Sequence, residues 1–180
     1  MELVINDDNL KNSDILEFST KVRAILVSDN NQILIANYGN VILLPGGKVD
    51  TGESIYDAIS RELKEETGIV YSEDELEYIG VIDYYQKNYP KMDNTYQNRL
   101  VKTHYFVAKY KGIKRDIQSL SEKELKGNFR LELVSLDNLE NIILSNNNDN
   151  PRNIYFQKEL LSILEVYKNH KDINAKTIRI

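Results

Sequence analysis

Hydrophobic and polar positions alternate along several short stretches of the chain, a period that predicts β-strands. The stretches from Thr20 to Val27 and from Gln32 to Tyr38 flank the turn residues 29–31, so they predict a hairpin. Residues 1–15 are polar and acidic, and we expect a loose lead-in followed by a single domain over residues 16–180. Further strands are predicted over residues 41–44, 76–85, 101–110 and 129–134, with a polar loop over 86–98.

Three helices are predicted between and after these strands. Ser54 is a candidate N-cap and Gly68 a candidate C-terminal stop, so a helix is expected between them. A short helix is expected over residues 136–144. The last begins at Pro151, because proline at the first helical position sacrifices no hydrogen bond, and it reaches about Tyr167. Strands mixed with a few helices predict an α/β (α+β) fold with a mixed sheet.

Composition narrows the range of functions. The 180 residues suit one domain, and 28 acidic against 23 basic residues argue against a nucleic-acid partner held by a basic patch. Without cysteine, disulfides, thiolate metal sites and a cysteine nucleophile are excluded. The N-terminus lacks the features of a secretory signal, and no apolar run approaches the roughly 18 residues of a membrane span. We therefore expect a soluble, cytoplasmic protein.

Two glutamates of the first predicted helix lie on its apolar side. At about 100° per residue, Glu62 and Glu66 fall within about 20° of Ile55, and Glu65 lies at the edge of the apolar arc. A run of glutamates is ordinarily a solvated face. Here, however, two carboxylates would be buried while the basic residues of the helix project elsewhere, although Arg61 could reach Glu65 at the i,i+4 spacing. Such burial costs several kcal/mol unless a partner is present. The rotation therefore favours a site for Mg²⁺ or Mn²⁺, which prefer oxygen ligands.

The Gly46-Gly47 pair follows the short strand over residues 41–44. Glycines at such a position are common in ordinary turns, and they also let backbone atoms approach a ligand closely. Their position just before the glutamate helix favours the second interpretation.

The segment from Gly47 to Ile69 resembles the Nudix box. That pattern is Gly, five residues, Glu, seven residues, Arg-Glu, an aliphatic residue, any residue, Glu-Glu, any residue, Gly and an aliphatic residue. The fixed positions are filled by Gly47, Glu53, Arg61, Glu62, Leu63, Glu65, Glu66, Gly68 and Ile69. The resemblance covers about an eighth of the chain, and it implies an α-β-α sandwich with a mixed sheet.

The resemblance also implies a chemistry: hydrolysis of a nucleoside diphosphate linked to another moiety. It places Mg²⁺, or Mn²⁺, on Glu62, Glu65 and Glu66 with help from the backbone carbonyl of Gly47. Arg61 would orient a glutamate. Glu62 is our candidate for the general base, with Glu66 as a second catalytic carboxylate, although the family places this base variably.

Some relatives use a glutamate from a loop outside the box. Glu124, between two predicted strands, is therefore a candidate substrate-binding residue, although an exposed glutamate is more often solvated surface. Arg23 and Tyr85 are two further candidates. A tyrosine at the position of Tyr85 is typical of relatives that cleave diadenosine polyphosphates. The proline that marks ADP-ribose hydrolases is absent there, as are the added motifs of the coenzyme A and NADH variants.

Two other functions remain open. One is a Nudix-fold regulator that binds a nucleotide without catalysis; regulators of this type usually have an eroded box, whereas this one is intact. The other is an RNA 5'-end pyrophosphohydrolase, which the acidic balance disfavours. The expected partner is a small nucleoside diphosphate derivative, with no membrane partner, and similar proteins are often homodimers.

Overall fold

A mixed β-sheet forms the centre of the molecule. The computed structural model describes residues 1–91, 93–116 and 118–177, and the side chains of all of these except residues 123, 124 and 172–177. The strands are β1 (Glu2–Ile5), β2 (Glu17–Val27), β3 (Gln32–Tyr38), β4 (Val41–Leu43), β5 (Glu77–Pro90), β6 (Tyr96–Lys109) and β7 (Arg130–Ser135). The helices are α1 (Ile55–Thr67), α2 (Glu122–Lys126), α3 (Leu136–Ser145) and α4 (Asn153–Thr177).

The strands follow the order β1-β5-β6-β2-β3-β4, and β7 pairs with β3. Parallel pairing joins β1 to β5, and β2 to β6 from Glu17 opposite Arg99 to Val27 opposite Lys109. The predicted hairpin of β2 and β3 is confirmed at its turn, where Val27 lies opposite Ile33. Nearer the start of β2, its backbone is hydrogen-bonded to the loop after β4 instead of to β3, so this loop and β2 lie side by side.

Successive residues of each central strand pack on opposite faces of the sheet. Ile25 and Tyr105 belong to a core cluster with Ile163 of α4, which covers one face together with α3. Leu26 and Phe106 belong to a second cluster, packed against α1 on the other face. The expected α-β-α sandwich is therefore confirmed.

Helix α1 forms between the predicted caps. The Oγ of Ser54 accepts a hydrogen bond from the backbone N–H of Asp57, at 3.1 Å. Gly68 ends the helix in the left-handed conformation, with φ of 73°, and its N–H donates to the carbonyl of Lys64. These caps fix the ends of the helix and hence the direction in which its glutamates point.

Four segments differ from the expectations. Residues 2–5, expected in a loose lead-in, form β1 beside β5, because Ile5 buries its side chain in the core. The expected loop over residues 86–98 is largely paired strand, in which Tyr89 lies opposite Gln97. Its polar residues find partners in each other, for example Lys91 Nζ donating to Gln97 at 3.3 Å. Helix α2 was not predicted, and α4 continues past Tyr167.

Over the same described residues, no helix combines the length and apolarity needed to cross a lipid bilayer.

Candidate active site

Glu62 and Glu66 of α1 turn inward, as the helical rotation predicts. Their exposed fractions are 9% and 3%. One carboxylate oxygen of Glu66 accepts the backbone N–H of Gly46 at 2.9 Å. Burial raises the pKa of Glu62 above its ordinary value, and a hydrogen bond from Arg61 offsets part of that rise. Both carboxylates are therefore held at the junction of α1 and the β4–α1 loop.

Arg61 reaches the glutamates of α1 instead of projecting away from them, as its i,i+4 spacing to Glu65 allows. Its Nη1 donates to Glu62 at 2.9 Å and lies 3.6 Å from a carboxylate oxygen of Glu65. Its Nε and Nη2 donate to the two carboxylate oxygens of Glu53, at 2.8 and 2.9 Å, and Nη2 also donates to the carbonyl of Lys48. The long arginine side chain folds back across the helix surface, which the position of its Cα does not reveal. The hydrogen bond with Arg61 lowers the pKa of Glu53.

The loop between β4 and α1 packs too tightly for side chains. Gly46 has φ of +127°, and a Cβ added there would lie 2.3 Å from the carbonyl oxygen of Val22. A Cβ on Gly47 would lie 2.4 Å from the carboxyl group of Glu62. Close approach to the backbone of β2 therefore requires glycine at position 46, whereas a Cβ at position 47 would displace the Glu62 carboxyl group.

Arg23 holds this loop from the side of β2. Its Nη1 donates to the carbonyls of Leu44 and Gly46, each at 2.6 Å. Gly46 in turn donates to Glu66, so a chain of hydrogen bonds runs from β2 through the loop to a buried carboxylate of α1. Arg23, proposed from the sequence as a substrate ligand, thus has a visible role in positioning the loop.

A second loop, between β6 and α2, is bonded to the end of α1. The backbone N–H groups of Lys114 and Ser119 donate to the carbonyls of Thr67 and Glu65. The side-chain amide of Gln118 donates to the carbonyl of Glu66. The last turn of α1 is therefore fixed from both sides, by the β4–α1 loop and by the β6–α2 loop.

These elements border a cleft of about 410 Å³. Of the predicted site residues, Arg23, Gly47 and Glu66 line it, whereas Glu62, Glu65 and Arg61 are not among its lining residues. Tyr85 lies elsewhere, where its hydroxyl donates to Asn12 at 2.9 Å. The side chain of Glu124 lies outside the described residues. The full lining is Lys21, Arg23, Ala36, Tyr38, Leu43, Gly46, Gly47, Lys48, Glu66, Ser121 and Phe129.

Sequence analysis missed several lining residues, among them Lys21, Tyr38 and Phe129. The period of β2 could have identified Lys21, because it stands two residues before Arg23 and so shares its side of the strand. Tyr38 and Phe129 carried no comparable signal, since the approach of β3 to the segment before β7 depends on the folded sheet.

The donors near the cleft suit a hard cation, since Glu62, Glu65 and Glu66 supply carboxylate oxygens. The fit of the glycine backbone against the Glu62 carboxyl places these oxygens beside the loop. Within the described part of the chain, however, no three acidic or histidine side chains converge closely enough to enclose an ion. Instead, the guanidinium of Arg61 lies between Glu62 and Glu53 and pairs with both.

Comparison with known proteins decides the family. The NUDIX domain model matches residues 18–156. The chain belongs to the NUDIX family. Over 53 residues, this NUDIX protein is 42% identical to an ADP-ribose pyrophosphatase of Methanocaldococcus jannaschii, a match that spans 27% of this chain and 31% of that relative.

Solved structures share the fold at low sequence identity. A NUDIX hydrolase from Nitrosomonas europaea is 18% identical, with a TM-score of 0.53 over 81% of this chain and 90% of its own. The NUDIX domain of Shewanella oneidensis NrtR, solved in complex with ADP ribose, is 17% identical, with a TM-score of 0.53 over 90% and 94%. These likenesses establish the NUDIX fold of the chain.

Proposed function

We propose that this NUDIX protein is a Mg²⁺-dependent pyrophosphohydrolase that cleaves the diphosphate linkage of a nucleoside diphosphate joined to another moiety. The observation that carries the proposal is the pair of buried carboxylates, Glu62 and Glu66, fixed beside the Gly46-Gly47 loop at the edge of the cleft. The segment shared with an ADP-ribose pyrophosphatase adds support for a substrate of this class.

The carboxylates of α1 have different surroundings and so suit different roles. Glu66 lines the cleft, and the N–H of Gly46 fixes its orientation. Glu62 is our candidate for the base that accepts the proton of the attacking water. A base works best with a pKa near the operating pH, and burial shifts the pKa of Glu62 in that direction. Arg61 orients Glu62 through the hydrogen bond at 2.9 Å.

Glu62, Glu65 and Glu66, with the carbonyl of Gly47, would hold Mg²⁺. The carbonyl of Gly47 accepts the N–H of Val22, and its second lone pair is available to a cation. When bound, the ion makes water easier to deprotonate and offsets negative charge on the diphosphate oxygens.

The remainder of the cleft suits the nucleoside. Tyr38 and Phe129 supply aromatic rings on its wall, and a ring stacked on a base contributes about 1–3 kcal/mol of binding. The substrate would thus lie with its base near these rings and its diphosphate near Glu66.

The proposal is tested by chromatographic detection of the nucleotide products from a panel of nucleotide sugars, ADP-ribose, dinucleoside polyphosphates, nucleoside triphosphates and 5'-triphosphorylated RNA with Mg²⁺. We expect turnover of at least one of these, and we expect Glu66→Gln to lower kcat by at least about 100-fold, because a group acting on the reacting centre is lost. Glu73→Gln, at an exposed glutamate outside the cleft, is the matched control and should change kcat less than twofold.

Three results would contradict the proposal. Activity that survives Glu66→Gln would place the chemistry elsewhere. Tight nucleotide binding without turnover of any substrate would favour the non-catalytic regulator. Activity confined to 5'-triphosphorylated RNA would favour the RNA 5'-end pyrophosphohydrolase.

A further inference from the structure

Lys21 projects from β2 between the cleft and a smaller crevice beside α4. The crevice has a volume of about 20 Å³, enough for one water-sized group. Lys21, Arg23 and Leu43 line both spaces, so the two adjoin each other. The far wall of the crevice is formed by Phe156 and Glu159 of α4.

The ammonium group of Lys21 is poorly satisfied by the protein. Over residues 1–91, 93–116 and 118–177 it makes no hydrogen bond and no ion pair; its contact is with the ring of Phe156, 5.7 Å from Nζ to the ring centre. Burial and the neighbouring Arg23 lower the pKa of Lys21 to about 8. A partly buried ammonium with three donors and no acceptor is costly, and an acceptor from outside the protein would remove that cost.

The charges that face Lys21 leave the crevice positive. Glu17 forms an ion pair with Arg99, at 3.9 Å, so those two groups largely offset each other. Glu159 accepts the hydroxyl of Tyr105 at 2.7 Å, and it is the remaining carboxylate among the groups that act on Lys21. The charges that remain are those of two cations, Lys21 and Arg23, and one anion, Glu159, so the net charge around the crevice is positive.

Arg23 has spare donors toward the same space. Its Nη1 is used by the carbonyls of Leu44 and Gly46. In the described residues, its Nε and Nη2 have no hydrogen-bond partner in the protein. A ligand oxygen in the crevice could therefore accept from Lys21 and Arg23 together, as phosphate and carboxylate oxygens commonly do.

We propose that Lys21 and Arg23 form an anion subsite that binds an acidic group of the substrate lying outside the cleaved diphosphate. This rests on the proposed function, and it extends it to a substrate class: nucleoside diphosphates whose attached moiety carries a phosphate or a carboxylate. The small volume of the crevice selects one or two oxygens of that group, while the rest of the moiety lies in the cleft.

Binding is tested first without catalysis. Inorganic phosphate and acetate are titrated calorimetrically into the whole protein in EDTA, which removes the contribution of a bound cation. We expect phosphate, acetate or both to bind, and we expect Lys21→Met to weaken that binding about 10- to 100-fold, the loss typical of a charged hydrogen bond. Lys64→Met removes the same charge from an exposed position on α1 and should change the affinity less than twofold.

Methionine keeps most of the length of the lysine side chain and removes the unpaired charge. Lys21→Met should therefore unfold at a temperature no lower than the unaltered protein, so that weaker binding is not a consequence of poor folding. Unaltered phosphate and acetate affinity in Lys21→Met, or no measurable binding of either probe by the unaltered protein, would overturn the subsite.

Substrate pairs then test its place in the reaction. ADP-ribose is compared with ADP-ribose 1''-phosphate, and UDP-glucose with UDP-glucuronate, so that each pair differs in one acidic group and the two pairs distinguish phosphate from carboxylate. For at least one pair, Lys21→Met should lower kcat/KM about 10- to 100-fold for the acidic member and less than threefold for the other. Equal losses within both pairs would overturn the proposal, because Lys21 would then serve the diphosphate or the fold.

The binding measurements distinguish failure of the anion subsite from failure of the proposed pyrophosphohydrolase function. Loss of probe binding in Lys21→Met with no turnover of any substrate would leave the subsite standing and remove the proposed function. Turnover with unchanged probe binding in Lys21→Met would do the reverse.

Discussion

The carboxyl group of Glu62 experiences two opposing effects, of which burial is the larger. Its pKa is raised because desolvation outweighs the hydrogen bond from Arg61. The folded protein therefore binds the Glu62 proton more tightly than the unfolded chain does. Between the unfolded and the folded pKa, unfolding releases a proton, so this group reduces stability progressively as the pH rises through that interval. Glu53, with a lowered pKa, acts in the opposite sense and loses its contribution as the pH falls.

From this pH dependence we predict the effect of Glu62→Gln on the free energy of unfolding. In EDTA at pH 7, the variant should have a higher free energy of unfolding than the unaltered protein, because glutamine carries no charge to bury and keeps an oxygen that can accept from Arg61. The gain should shrink as the pH is lowered toward 4.5, the ordinary pKa of a glutamate. Urea unfolding between pH 4 and 8 measures this, with Glu73→Gln as a control expected to stay within about 0.5 kcal/mol. A gain that is independent of pH would show that charge is not its cause.

Sequence analysis succeeded at this scale where geometry is fixed by the helix itself. The inward direction of Glu62 and Glu66 follows from 3.6 residues per turn, and it is what the structure shows. For Arg61 the rotation alone was not sufficient, because several rotatable bonds let the guanidinium fold back to a neighbouring carboxylate, a contact that the i,i+4 spacing to Glu65 had left open. Rotation around the helix axis locates a Cβ atom, and a long side chain then extends well beyond it.

Among the elements, the β4–α1 loop is the most constrained by its surroundings. Its carbonyls accept from Arg23 and from the backbone of β2, and its Gly46 N–H donates to Glu66. Gly46 adopts a backbone conformation that other residues rarely adopt, with β2 directly against it. The loop is thus shaped by contacts on both sides.

We predict that Gly46→Ala lowers the free energy of unfolding by at least about 3 kcal/mol, because backbone strain of about 1–3 kcal/mol is joined by a clash with Val22. Gly52→Ala is the matched control. Gly52 also has a positive φ, of 82°, but a Cβ there meets nothing within 4 Å. It should therefore cost about 1–2 kcal/mol, the strain alone. Urea unfolding of both variants gives the comparison; equal losses would mean that the close approach to β2 is readily relieved.

A helix or strand could be predicted where the residues that determine it lie close together in the sequence. The caps of α1 and the alternation of β2 and β3 lie within a few residues and were identified. β1 was not, because it is a strand through pairing with the distant β5. The polar ends of β5 and β6 pair with each other and were not identified either, because their polar composition is typical of a loop. The cleft shares that limit, since its wall combines β2, β3 and the segment before β7.

For the whole molecule, the two core clusters make α4 part of the domain. Ile163 of α4 is fully buried in the cluster on one face of the sheet. We predict that Ile163→Ala lowers the free energy of unfolding by about 2–5 kcal/mol, through lost burial and the cavity that remains. Ile154, near the start of the same helix, is 67% exposed, and Ile154→Ala should stay within about 0.5 kcal/mol. Thermal or urea unfolding distinguishes them, and comparable losses would argue that α4 packs differently in solution.

The parallel pairing of β2 with β6 has a consequence for folding during translation. The pairing of β2 with β6 cannot form until Arg99, opposite Glu17, and Lys109, opposite Val27, have been synthesised. A nascent chain on the ribosome therefore displays β2 with one edge open until more than half of the polypeptide has emerged, and the closing step carries the entropy of a long loop. Such edges attract other strands. We therefore expect misassembly to be most frequent during that interval, especially when synthesis is slow. Protection by chaperones would then matter more than the stability of the folded protein.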